Sequence, residues 1–400
     1  MGMAQKAKLK VKSQKSRFAE FIRTKKINLL IQLLLIAVIV FNVGSTVWNL
    51  RDKYLSSNYW QRFPSLKKAY YDSIYANKKG TWLPDEILYS FNGGALIKGE
   101  SPILVNPEIP PVGKYLVGLS ALLFNNEHLI IPIFFTASFI VLYLIGLQIF
   151  KTSFIALLPI LFLSFESMFL NQLIYTPLID IIHLTFLLLS FYFFNKAIIN
   201  SKHELIFFIL SSLFFGLFIS TKFFGVGITV VLAFVLILIL NKDNKKIKLF
   251  MLSFPISLSV LLSSYIRVII LGYPLNKFLG IQKWIFWYNQ GHIQMPLSVW
   301  PLLLFNKWYV SWGDIKILSD PQWGITWPII TVISILTIIL YLFNKIPKNK
   351  EAEIVMAWVV FYFVFLSIGD ASARYFIILF PGLYLITFFG INSFVNKIRI

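Results

Sequence analysis

The chain contains no cysteine in 400 residues, which excludes disulfides, thiolate metal sites and cysteine nucleophiles. Acidic side chains are scarce, with 17 Asp plus Glu against 37 Lys plus Arg and a formal net charge of +20. Charged residues of both signs make up only 14% of the chain and hydrophobic ones 58%, whereas a soluble domain is nearer a quarter charged and half apolar. No internal repeat of fixed period is visible. The basic start KAKLKVKSQKSR runs into LLIQLLLIAVIVF without a small-residue cleavage site, the pattern of a retained anchor rather than a cleaved signal peptide. The excess of cations does not point to nucleic acid. It is concentrated in that N-terminal stretch and in the short connectors KDNKKIK, NKIPKNKE and NKIRI, as in cytoplasmic loops under the positive-inside rule.

What the chain does have is apolar length. Several runs exceed the roughly 18 residues that cross a hydrocarbon core, and they lack the alternation of membrane strands. The expected class is therefore an all-α, multi-pass membrane protein. About ten spans are expected near 27–48, 128–150, 152–175, 180–197, 204–221, 223–240, 248–270, 324–344, 352–369 and 373–391. Basic connectors orient them with both termini cytoplasmic. Residues 1–26 form a cytoplasmic tail, and 27–400 form a single transmembrane domain. Two long segments, about 49–127 and 271–323, face outward. Within the first, PPVGKYLVGLSALLF is too short to span and is expected to lie at the outer surface. If it crossed, KDNKK and NKIPKNK would face outward, against the charge rule.

Loops of that length are usually functional. The second is dense in Trp and Tyr (QKWIFWYNQGHIQMPLSVWPLLLFNKWYVSWGD), which suits an aromatic belt at the interface or a roof over a cavity open to water and bilayer. In so acid-poor a chain, the adjacent Asp85 and Glu86 are site candidates, followed by Glu108 in a Glu108-x-Pro110-Pro111 turn. Ionisable residues at the ends of apolar spans are functional candidates by default. They are Asp180, which also suits a helix N-terminus, Lys222, Arg374 in a short turn between apolar helices, and Arg267. Glu166, inside a span, reads as a buried structural acid. Carboxylates on this face suit taking a proton from a hydroxyl. Lys and Arg suit holding a phosphate and stabilising charge that develops on it.

The order of these segments resembles GT-C glycosyltransferases, above all the dolichyl-phosphate-mannose protein O-mannosyltransferase family. Asp85–Glu86 resembles the family's DE pair, and PPVGKYLVGLSALLF its HPPLGKLL-like turn. IDIIHLTFLLLSFYFF, GLFISTKFFGVGITV, the Trp-rich loop and ARYFIILFPGLYLITFFGI follow in the family's order. Ile109 stands where the family has the His of HPP, so Glu108-x-Pro-Pro is nearer the E-K-P-P of lipid A aminoarabinose transferases. Tyr175 and Asn289 depart from an Arg and a His, with His292 close to the latter. The MIR module of eukaryotic members is absent.

The resemblance implies the GT-C fold with outer-face juxtamembrane helices. It also implies inverting transfer of a sugar from a polyprenyl-phosphate donor to a hydroxyl on the outer face, with a mannosyl donor and a protein Ser/Thr acceptor favoured over a glycolipid or polysaccharide. On that reading Asp85 is the general base and Glu86 orients it or holds the acceptor. Asp180 binds hydroxyls. Lys222 and Arg374 hold the donor phosphate, with Arg267 a weaker candidate, and Tyr288 and Trp300 belong to a lid or sugar platform. No cofactor is expected. A divalent ion on Glu108 and His292 is the less favoured alternative, since related aminoarabinose transferases hold a metal near the corresponding turn. The partners are the lipid-linked donor, the acceptor and membrane lipids. The rival readings are a transporter or flippase, which would show inverted repeats and helices broken at mid-membrane, and a degenerate GT-C scaffold.

Overall fold

The computed structural model describes residues 27–76, 79–199, 202–290, 295–310 and 316–398. The side chains of residues 289, 290 and 398 lie outside the description, as do the N-terminal tail and His292. Helix α1 (Ile27–Asn49) is an apolar span. The first long segment then folds into α2 (Arg51–Leu55), α3 (Tyr59–Tyr71), α4 (Asp85–Ile97) and α5 (Val112–Phe124). At 13 residues, α5 is about 20 Å long at 1.5 Å per residue. It is therefore too short to cross, as its sequence implied.

The membrane-sized elements follow. They are α6 (Ile130–Phe150), the pair α7 (Ser153–Leu163) and α8 (Ser167–Ile174), α9 (Asp180–Ile199), α10 (Glu204–Ile219) and α11 (Gly227–Asn241). Next come α12 (Asn244–Ser253), α13 (Pro255–Ser264) and α14 (Ile266–Ile270). The second long segment forms α15 (Leu275–Gln290), α16 (Val299–Phe305) and a hairpin of β1 (Trp308–Val310) and β2 (Lys316–Leu318), before α17 (Thr326–Leu342), α18 (Lys350–Ile368) and α19 (Phe376–Ile398). Among the described residues, seven helices are long and apolar enough to cross a membrane, or eight if the α7–α8 pair counts as one. Helices α10 and α17 are apolar but shorter, at 16 and 17 residues, and complete the expected ten.

The third span is not the continuous helix its hydropathy suggests. It bends by 66° between α7 and α8, and the cause is Glu166. This buried residue has left helical geometry (φ −68°, ψ 119°) at the start of α8. Its carboxylate accepts from the Thr326 hydroxyl at 2.7 Å, the Trp327 indole at 3.2 Å and the Tyr384 hydroxyl. A carboxylate inside a bilayer needs such partners, and the break aims it at α17 and α19.

Helix α9 lies at the centre, packed on α6, α10, α18 and α19, and most of its residues are buried, as in a helix surrounded by others. It also sets the polarity of the molecule. Its first residue is Asp180, and about 30 Å further on, at 1.5 Å per residue, its last turn receives Lys246, which donates to the Ile198 carbonyl. Lys245 pairs with Glu204 at that end, 2.6 Å apart. At the same end of α6, Lys151 pairs with Glu351 at 2.6 Å and Asn349 donates to the Ile149 carbonyl at 3.0 Å. The basic connectors and Asp180 thus sit at opposite ends of the bundle.

Candidate active site

Four chain segments far apart in sequence meet at the Asp180 end. Asp85 opens α4 directly after Pro84. Asp180 opens α9. Both carboxylates therefore stand where the helix dipole favours a negative charge. Arg374 comes from the short 3₁₀ turn Ala373–Tyr375 between α18 and α19, and its guanidinium bridges them. Its Nε donates to Asp180 Oδ2 at 2.7 Å and its Nη1 donates to Asp85 Oδ2. Lys222, in the turn between α10 and α11, donates to the other Asp180 oxygen, Oδ1, and lies 6.0 Å from the centre of the Tyr375 ring. Burial pulls its ammonium below the ordinary lysine range, and the charge of Asp180 opposes that shift.

The result is two carboxylates against two cations in a partly buried, charge-balanced chain. One donor is left over. Among the described residues, the buried Nη2 of Arg374 has no hydrogen-bond partner. An orphaned buried donor on a cation is costly and is suited to receive an anionic oxygen.

Glu108 adjoins this cluster, close enough for its charge to act on Asp85, Tyr75 and Tyr288. Burial pushes its carboxyl above the usual range. Its carboxylate accepts from the Asn106 amide, and its charge couples to Lys114, which lies fully buried in α5. The Lys114 ammonium donates to the Asn106 carbonyl at 2.7 Å, and burial brings it down to about 7. Sequence reading passed over Lys114, although it is the only charge in PPVGKYLVGLSALLF and that isolation was the available signal. Tyr89, fully buried one turn after Asp85 and within electrostatic reach of Asp85 and Arg374, was also passed over. Nothing in its sequence neighbourhood marks it out from the chain's other 17 tyrosines.

The remaining candidates separate. Tyr288, stacked on Trp284 with ring centres 5.1 Å apart, lies within electrostatic reach of Asp85, Glu108 and Tyr375. Glu86, next to Asp85 at the head of α4, instead lines an adjoining cavity that none of the four cluster residues lines. Arg267 donates to the Leu96 carbonyl, at the far end of α4 and so roughly 17 Å along that helix from Asp85. Its partners there are a helix C-terminus and the Tyr115 ring, 5.9 Å away.

Trp300 acts at one remove. It stacks on Phe363 with ring centres 5.0 Å apart and donates to the Ser367 hydroxyl at 3.1 Å. Around it, the second long segment grips the turn that carries Arg374. Leu297 N–H donates to the Ser367 carbonyl at 2.8 Å, Ala371 N–H to the Ser298 hydroxyl at 2.9 Å, and the Trp308 indole to the Ala371 carbonyl at 3.0 Å. The Trp-rich loop thus holds the turn that carries Arg374.

For a metal, the described residues offer no group of three or more His, Asp or Glu side chains able to hold one. Glu108 is instead surrounded by Asn106 and the Lys114 cation, and His292 lies outside the described residues.

Comparison with known proteins places this geometry in context. Residues 108–266 match the family model described as dolichyl-phosphate-mannose-protein mannosyltransferase. That segment contains Glu108, Lys114, Asp180 and Lys222 but neither Asp85 nor Arg374. Among curated proteins none matches the chain. In structure the chain is similar to ArnT from Cupriavidus metallidurans bound to undecaprenyl phosphate, with a TM-score of 0.56 and 15% identity over 79% of this chain and 58% of that one. It is also similar to the archaeal oligosaccharyltransferase AglB from Archaeoglobus fulgidus in complex with an inhibitory peptide and a dolichol-phosphate. There the TM-score is 0.57 and the identity 12%, over 94% of this chain and 51% of that one. The chain spans about half the length of these solved structures. The likeness establishes the fold, and it is the GT-C fold expected from the sequence.

Proposed function

We propose that this GT-C chain is a glycosyltransferase that moves a sugar from a polyprenyl-phosphate donor to an acceptor hydroxyl, with inversion, on the outer face of the membrane. The observation that carries the reading is the guanidinium of Arg374. It ties Asp85 to Asp180 beside Lys222 and keeps one buried donor unpaired. A sugar phosphate supplies the anionic oxygens such a group lacks. The two solved structures of similar fold carry undecaprenyl phosphate and dolichol-phosphate, which supports a lipid-linked phosphate as the ligand here. The matched family description names mannose and a protein acceptor. Its donor half is the one on which the ion cluster bears, and a mannosyl donor is the reading we adopt.

In the reaction, the acceptor oxygen bonds to the anomeric carbon from the side opposite the phosphate. The bond from that carbon to the phosphate oxygen breaks, and the acceptor proton passes to Asp85. A carboxylate is a weak base. It serves when the proton moves late, as the leaving phosphate takes up charge. Lys222 and Arg374 stabilise that charge in a site shielded from water, where such contacts are worth far more than in bulk solvent. Asp180 keeps both cations oriented, and Glu108 and Tyr288 line the approach.

The test uses the full chain in lipid nanodiscs with a mannosyl polyprenyl-phosphate donor. Asp85→Asn is expected to abolish transfer while leaving thermal stability and donor binding close to wild type. Transfer at the wild-type rate in that variant would remove Asp85 from the role of base.

A further inference from the structure

Helix α4 presents two chemical faces, not one. Asp85 and, one turn on, Tyr89 face Arg374. Glu86 and, one turn on, Ser90 lie about 100° round the helix and line a cavity of about 330 Å³. The cavity is bounded by α2, α3, α4, the link from α5 to α6 and the link from α8 to α9, and its rim carries the exposed Asp52 and Asn58.

Its floor is built around Glu127, which is fully buried. Arg62 Nη2 donates to both carboxylate oxygens, at 2.8 and 3.0 Å, and the Ser90 hydroxyl donates to Oε1 at 3.2 Å. His128 Nε2 lies 3.3 Å from the same oxygen, and its Nδ1 lies 2.8 Å from the Thr176 hydroxyl. Burial brings the imidazole down to about 4, so the ring is neutral near pH 7. With its proton on Nε2, it donates to Glu127 and accepts from Thr176.

The lining specifies the ligand chemistry. Three carboxylates (Asp52, Glu86, Glu127) stand against two cations (Lys53, Arg62). Both cations already face acceptors, Arg62 the Glu127 carboxylate and Lys53 the Ile174 carbonyl at 3.0 Å, and the three carboxylates outnumber them, so the lining disfavours an anion. Among the described residues the large apolar side chains in the lining are Leu66 and Ile87, with no Phe, Tyr or Trp, so an acyl chain finds little surface. What remains is a mixture of acceptors and donors, with the Glu86 carboxylate free of hydrogen bonds among the described residues. Vicinal hydroxyls, each able to donate and accept, match such a lining. At about 30 Å³ per water the cavity holds on the order of ten waters. That is the small end of ligand cavities and suits a sugar ring.

We infer that this cavity is a saccharide site that seats the acceptor, so that the hydroxyl presented to Asp85 belongs to a sugar, with Glu86 and Glu127 reading its neighbouring hydroxyls. The inference rests on the glycosyltransferase reading of Asp85 for the word acceptor. It rests on the cavity alone for the word saccharide. The two faces of α4 then divide the labour. Cations on the Asp85 side hold the donor phosphate, and neutral or acidic groups on the Glu86 side hold the uncharged acceptor.

The experiment measures two bindings separately on the full chain in nanodiscs: undecaprenyl phosphate, and methyl α-mannoside by saturation-transfer NMR. Both are expected in the wild type. Leu66→Trp, which fills the cavity from its apolar wall, is expected to weaken the glycoside by about tenfold or more, the scale of a blocked pocket contact, and to leave undecaprenyl phosphate binding unchanged. Asn58→Tyr at the exposed rim is the second variant should Leu66→Trp fail to fold. No glycoside binding, or binding that neither variant alters, overturns the inference. So does a threonine-containing peptide that binds in place of the glycoside and is lost in these variants. If undecaprenyl phosphate fails to bind while the glycoside remains sensitive to both variants, the donor reading falls and the saccharide site stands.

Discussion

Arg374 is one residue with three obligations, and its side-chain geometry explains why lysine cannot replace it. The planar guanidinium reaches Asp180 through Nε and Asp85 through Nη1 while holding Nη2 in reserve. A lysine ammonium is a single point of charge on a flexible stem. Arg374→Lys is therefore expected to retain the fold and to lower kcat by about 10²-fold, the scale of losing one charge-stabilising donor. Single-turnover rates at saturating donor would measure it. Lys114 presents the opposite case, a cation whose charge is a burden. Its folded pKa of about 7 lies below its ordinary 10.5, so between those values the unfolded chain binds a proton that the folded one has released. Stability must then rise with pH from about 7 towards 10.5, by at most about 1.4 kcal/mol per pH unit, and the full penalty applies below 7. Lys114→Met removes that titration. Unfolding of the solubilised protein measured from pH 7 to 10 is expected to slope upward in the wild type and to lose that slope in the variant.

At the scale of elements, the site depends on how closely α4 and α5 approach. Gly93 and Gly118 face each other across that contact. A Cβ on Gly93 would lie 2.7 Å from the Gly118 nitrogen, and one on Gly118 would lie 2.3 Å from the Gly93 carbonyl oxygen. Neither obstacle is a side chain that can rotate away, so the backbones themselves must part. Gly118→Val is expected to destabilise the protein by about 1–3 kcal/mol, as overpacking does, and to depress activity further by moving Asp85 and Glu86 at the head of α4. A lowered melting temperature together with a raised KM for acceptor would report it. The same scale shows which parts of the structure were legible in sequence. Span positions, the short non-crossing α5 and the meeting of Asp85, Asp180, Lys222 and Arg374 were all accessible, because each lies at an end of an apolar run and apolar length fixes where those ends fall. The 66° break at Glu166 was not, because its cause is three donors from α17 and α19 that no local pattern announces. Nor was the divergence of Asp85 from Glu86. Adjacent in sequence, they are separated by the rotation of the helix they begin. The Glu127–His128 pair escaped notice for a related reason: it lies just before an apolar span, but its importance comes from Arg62 and Ser90, which reach it from other helices.

The whole molecule is organised by charge along one axis, and this makes its orientation in the membrane testable. Asp180 and the ion cluster occupy one end of α9, and Lys245, Lys246, Lys151 and the 344–351 connector occupy the other. The two ends are separated by about the thickness of a hydrocarbon core. Whichever way the bundle inserts, the proposed site and the basic connectors face opposite compartments. By the rule that governs short basic loops the cationic end is expected to stay in the cytoplasm, so the site is expected to face outward, where on the proposed reading a sugar on a lipid carrier meets its acceptor. With no cysteine in the chain, a single introduced thiol reports its own position without background. Cysteine at Asn244, exposed in the basic connector, is expected to react with a membrane-impermeant maleimide only after permeabilisation. Cysteine at Ser65, exposed on α3 beside α4, is expected to react in intact cells. The reverse labelling would turn the molecule over, place the ion cluster on the cytoplasmic face and force the donor to be presented from that side. The distance along α9 allows no arrangement in which both thiols label from the same compartment while the bundle spans the bilayer.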